Sequence, residues 1–80
     1  MEKSKAIKFI KLALELSEVD IQDLDLEIDI DLFEEGILDS LDAMTFLFNL
    51  EKLVNKKIIE IDEDFEDFKI SSLVSILSKY

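Results

Sequence analysis

Apolar residues recur at helical spacing in three stretches of the chain and at strand spacing in a fourth. From Glu2 to about Leu16, Ile7, Ile10, Ala13 and Leu14 mark one buried face of a helix. Phe9, Leu12 and Leu16 broaden that face, and Lys5, Lys8 and Lys11 take the outer side. A second and stronger helix is predicted from Leu41 to about Lys56. A third carries Leu73, Ile76 and Leu77, with Ser71 or Ser72 as its cap. A short helical turn is expected around Phe65 to Phe68. The exception is the stretch from Ser17 to Asp39, which is acidic and holds no Lys. There Leu24, Leu26, Ile28, Ile30 and Leu32 alternate with Asp25, Glu27, Asp29 and Asp31, which taken alone is a strand pattern. A single strand leaves its backbone groups unpaired, and no second convincing strand pattern occurs elsewhere. The stretch therefore reads as a long ordered loop with extended portions, its apolar residues pinned onto the helices. Loops of this length in a small domain are often functional. The expected fold class is all-α: a small bundle of three principal helices plus one short helix, with a long acidic loop between helices 1 and 2.

The middle helix is unusual in having two apolar faces. With about 100° of rotation per residue, Ala43, Phe46, Leu47, Leu50, Leu53 and Val54 gather on one side, enough for a core face. Leu41, Met44 and Phe48 gather on the opposite side. Either the acidic loop folds over this second stripe, or the stripe is exposed to a partner, for which Met and Phe make an adaptable surface. Asp39 and Ser40 are both good N-cap residues at the start of this helix. A phosphate ester on Ser40 would be stabilised by the free N–H groups and partial positive charge of the first turn. The only glycine, Gly36, lies just upstream, where a chain reversal calls for a positive φ or a close backbone approach.

Composition narrows the chemistry. The 80 residues include twenty acids and nine basic residues, all Lys, for a formal net charge of −11. Such a chain repels nucleic acid and anionic membrane surfaces and attracts partners with basic patches. There is no Cys and no His, so disulfides, thiolate metal sites and the common nucleophile–base pairs are excluded. A chain this small has little means of enclosing a pocket, so no catalytic residues and no metal site are expected. No stretch is long and apolar enough to span a bilayer, and the N-terminus lacks the apolar run of a secretory signal. A cytoplasmic monomer is expected, without membrane insertion.

The run Leu32-Phe33-Glu34-Glu35-Gly36-Ile37-Leu38-Asp39-Ser40-Leu41-Asp42 resembles the motif around the phosphopantetheine serine of the acyl carrier protein family. The likeness extends over the whole chain: first helix, long loop, Asp-Ser-Leu, second helix, short third helix, last helix. It implies a single carrier domain over residues 1–80 and a 4'-phosphopantetheine arm, taken from coenzyme A and attached to Ser40. An acyl or aminoacyl group would ride on the arm as a thioester. Asp39 matches the acidic residue approached by the modifying enzyme and its metal ion. Leu41, Asp42, Met44 and Phe48 fall on the family's recognition helix. The implied partners are a phosphopantetheinyl transferase, an acyl- or aminoacyl-loading ligase and an acyl-accepting enzyme. Carriers of fatty acid synthesis usually have an acid at the position of Thr45 and a more acidic continuation than Glu51-Lys52. They also often have a proline near Ile59, and Phe48 is large for an exposed position. The motif is similar as well to D-alanyl carriers of cell-wall teichoic acid modification and to other stand-alone aminoacyl carriers.

Three functions compete at this point. The first is a carrier with one covalent arm and no catalysis of its own. The second is an unmodified acidic helical interaction module. The third is a cation-binding domain, for which the loop lacks the glycine and ligand spacing of an EF-hand.

Overall fold

The computed structural model describes residues 1–20, 29–58, 65 and 67–80. Within them the chain is helical at α1 (Lys3–Leu16), α2 (Ser40–Val54) and α3 (Ile70–Leu77), in that order. α1 is the helix on which both others pack. Its inner face is Ala6, Ile10, Ala13 and Leu14, all fully buried. The two alanines keep that face low, and α2 brings its own Ala43 to the core beside Phe46, Leu47 and Leu50. α3 supplies Ile70, Leu73 and Leu77. Leu12 and Leu16, expected to widen the inner face of α1, are instead exposed, because the two helices that cover α1 leave that flank uncovered. In their place the small Ala6 is fully enclosed.

Each helix end has a local cause. α1 stops at a Schellman turn: Glu18 N–H bonds the Glu15 carbonyl and Val19 N–H the Leu14 carbonyl, both at 3.0 Å. The motif requires a left-handed residue, and Glu18 fills it at φ 63° in the absence of a glycine. The neighbouring Ser17 is buried; its Oγ donates to the Ala13 carbonyl (2.8 Å) and accepts from Asn49 Nδ2 (3.1 Å), a polar tie between α1 and α2. α2 ends at Val54, two residues before the expected Lys56, because Asn55 turns left-handed at φ 62° and its N–H closes on the Glu51 carbonyl. The chain then folds back to the fully buried Ile58, whose N–H donates to Glu51 Oε2 at 2.8 Å.

The acidic connection is only partly within the described residues, and Leu24, Leu26 and Ile28 lie outside them. Of the alternating stretch, Asp29 to Leu32 are described, and they pair at one point as an extended segment would. Asp31 forms a single antiparallel bridge with Lys69, with Ile70 N–H on the Ile30 carbonyl and Leu32 N–H on the Phe68 carbonyl, both 3.0 Å. The pairing partner is not legible as a strand in the sequence because it is only the few residues leading into α3. Beyond the bridge, Leu32 is fully buried and Asp31 folds the backbone over itself, accepting from Phe33 and Glu34 N–H. Gly36 has φ +74°, with no atom within 4 Å of where a Cβ would stand, so its role is the reversal and not a close approach. The short helix expected around Phe65 to Phe68 falls partly outside the described residues. Phe65, Asp67 and Phe68, which are described, are in irregular structure.

The start of α3 departs from expectation. Neither Ser71 nor Ser72 is the N-cap; that position is Lys69, whose side chain makes no capping bond. The free N–H groups of the first turn are met from a distance instead. Asp29 accepts from Ser71 N–H (3.0 Å, Oδ1) and from Ser71 Oγ (2.9 Å, Oδ2). These bonds hold the Asp29 carboxyl below its ordinary range, the Ser71 N–H contributing most, the hydroxyl next and the Lys69 charge least; desolvation works against them.

Candidate functional site

The chain reaches α2 through a turn that leaves little freedom. The Leu32 carbonyl accepts from both Ile37 and Leu38 N–H at 3.0 Å, and Leu38 is buried to 1% exposure. Two anchored leucines therefore deliver Asp39 to the surface in extended conformation, φ −91° and ψ −177°. Of the two residues suited to cap α2, Asp39 is the one that does so, its Oδ1 accepting from Asp42 N–H at 2.8 Å. Its carbonyl accepts from Ala43 N–H, also at 2.8 Å.

Ser40 is thereby released from capping. It is the first helical residue of α2 and is exposed. Among the described residues its hydroxyl has no hydrogen-bond partner. Its own N–H and that of Leu41 lie in the first turn, where an α-helix has no internal acceptor for them. An exposed hydroxyl thus sits at the positive end of a helix that runs from Ser40 to Val54.

The stripe of Leu41, Met44 and Phe48 starts beside Ser40 and is open. Leu41 is 74% exposed, Met44 68% and Phe48 61%, so the described part of the acidic connection does not cover it. Phe48 carries Lys52 over its ring, 5.4 Å from the centroid, one turn further on. Thr45 lies beside the stripe with its hydroxyl turned back onto the Leu41 carbonyl at 3.2 Å. Asp42 is partly exposed, while Glu51 is engaged by Ile58 N–H and belongs to the fold-back after α2.

The four recognition residues named from the sequence therefore share the outer half of α2, with Asp39 and Ser40 at its start. Sequence reasoning missed Phe33, which is 45% exposed and stacks on Phe68 at 6.0 Å between ring centroids, Phe68 in turn meeting Phe65 edge-on at 5.4 Å. The abundance of Phe near residue 65 was its one signal. Among the described residues no three carboxylates gather as metal ligands, and no helix is long and apolar enough to cross a membrane. No family model matches the chain, and neither a curated protein nor a solved structure does so.

Proposed function

We propose that this chain is a carrier: it holds an acyl or aminoacyl group on a 4'-phosphopantetheine arm attached to Ser40 and delivers it to partner enzymes. The observation that carries the reading is the state of Ser40, an exposed hydroxyl without a hydrogen-bond partner among the described residues, first in α2 and next to a capping aspartate. The residues present fit the arm. The helix start favours a phosphate ester, and the anchored turn from Leu32 to Leu38 fixes the point from which the arm extends. The arm would supply a thiol able to hold cargo as a thioester; the protein's part is to present it. In this reading a phosphopantetheinyl transferase approaches over Asp39. It and the later partners, a loading ligase and an accepting enzyme, dock on Leu41, Asp42, Met44 and Phe48.

The test is intact mass after incubation with coenzyme A, magnesium and a broad-specificity transferase. The parent should gain one phosphopantetheine and Ser40→Ala none, with unchanged circular dichroism. Modification of the Ala variant would remove Ser40 from the assignment. The exposed stripe also supports a second reading, an unmodified interaction module, and failure of every transferase to modify the parent would favour it. Cargo is read by offering the modified protein D-alanine or fatty acids with their ligases. D-alanine loading would favour a role in cell-wall teichoic acid modification.

A further inference from the structure

We propose that the exposed face of α2 pairs with the same face of a second copy of this chain, antiparallel and about a two-fold axis. Among the described residues, three of the six exposed large hydrophobic side chains, Leu41, Met44 and Phe48, lie on this one face. The charges beside them are segregated along the helix, with Asp42 in its first turn and Lys52 in its last. Lys56 and Lys57 follow, both exposed. Neither Asp42 nor Lys52 has an ion-pair partner among the described residues. At about 100° per residue, Asp42, Thr45, Asn49 and Lys52 run along one flank of the stripe. In an antiparallel pair related by a two-fold axis, a flank meets the same flank of its neighbour with the ends exchanged. The acidic end of each helix then lies along the basic end of the other. A register that sets Met44 against the second copy's Phe48 leaves Asp42 only about 3 Å along the axis from the second copy's Lys52, within reach of a lysine. The helix dipoles also run oppositely. The face thus carries its own complement.

Two terms limit the strength of the pair. Each copy carries a net charge of −11, although repulsion beyond about 8 Å is screened at physiological salt. The stripe is narrow, below the size of a standard interface, so a dissociation constant on the order of 0.1 mM is expected. Dilute protein is then the monomer expected from the sequence, and concentrated protein is not. The pairing does not depend on modification of Ser40. It does cover the surface beside that residue, so the paired form withholds Ser40 from enzymes.

Sedimentation equilibrium of the purified full chain, from about 10 μM to about 1 mM at physiological salt, tests this. The parent and Ser40→Ala should show the same monomer–dimer equilibrium, so that failure of the carrier reading would not touch this one. Phe48→Glu should weaken association at least tenfold while its melting curve stays that of the parent. Asp42→Lys and Lys52→Asp should each self-associate more weakly than the parent, whereas an equal mixture of the two should regain a dimer, because each lysine-rich flank then meets an acidic one. A parent that stays monomeric across the range would overturn the proposal. So would a dimer indifferent to Phe48→Glu, or a mixture no better than its separate components.

Discussion

The two helix starts capped by aspartate, at α2 and α3, solve the same problem at opposite distances. Asp39 caps α2 from the adjoining position and bonds an N–H three residues on. Asp29 caps α3 from 42 residues away, with both carboxylate oxygens. The near cap fixes one helix and frees Ser40. The remote one makes a helix start depend on where another part of the chain lies. Local capping builds an element, and remote capping joins two.

The largest separable effect should come from the residue that supports both arrangements. Leu32 is fully buried between its hydrogen bond to the Phe68 carbonyl and the turn leading to Asp39. Leu32→Ala should cost about 2–5 kcal/mol. In a domain whose total stability is of the order of 5–15 kcal/mol, that leaves little margin. Urea unfolding measures it; a loss under about 1 kcal/mol would show that the turn is held by its hydrogen bonds alone.

Breaking the near cap should be milder. Asp39→Ala should cost about 1 kcal/mol, and Asp39→Asn, which keeps an acceptor, only a few tenths. The same pair sharpens the functional reading: if the Asp39 charge guides the transferase, Asp39→Asn should slow modification of Ser40 while its unfolding midpoint barely moves. Equal modification rates for parent and Asn variant would confine Asp39 to capping.

A gain of about 0.5–1 kcal/mol is expected from Glu18→Gly, since Glu18 sits in the left-handed region at φ 63° where glycine is unstrained. Part of it will be offset by the extra freedom of glycine in the unfolded chain. No gain in melting temperature would mean that the two effects cancel.

The smallest effect at neutral pH belongs to the remote cap, and pH is the way to see it. The Asp29 carboxyl is held below its ordinary 3.8, so the folded state binds that proton more weakly than the unfolded state. Its contribution is present above 3.8 and is lost as pH falls through the folded value. Asp29→Asn retains an acceptor for Ser71 N–H but cannot titrate. It should be slightly less stable than the parent at neutral pH, with a shallower acid limb below 3.8, so that the two converge as pH falls. Parallel acid limbs would show that Asp29 is not differentially protonated between folded and unfolded chain.

The same contrast decides what the sequence discloses. The start of α2 is legible because cap, first turn and apolar spacing all lie within Asp39 to Phe46. The left-handed turn at Gly36 is legible because no other glycine competes for it. The outward stripe is visible as a second apolar face, but its exposure is not, since nothing in Leu41, Met44 or Phe48 says whether a loop lies over them. The bridge between Asp31 and Lys69 and the clamp from Asp29 to Ser71 are hidden for a physical reason. Neither residue of either pair is unusual in its own neighbourhood, and serine is so good a local cap that Ser71 reads as one. Leu12 and Leu16 escape the pattern because periodicity gives the direction of a helical face but not how wide its neighbours make it.

The remote clamp also has a kinetic consequence. α3 is eight residues long and has no side-chain cap of its own, too short to persist as an isolated helix. The Asp29 bonds that complete its first turn must join points 42 residues apart. The residues around Asp29 to Leu32 and the first turn of α3 should therefore order late and together, after α1 and α2 have met. In the folded protein they should open as one unit, with the amides of Leu32, Ile70 and Ser71 exchanging with solvent at a common rate.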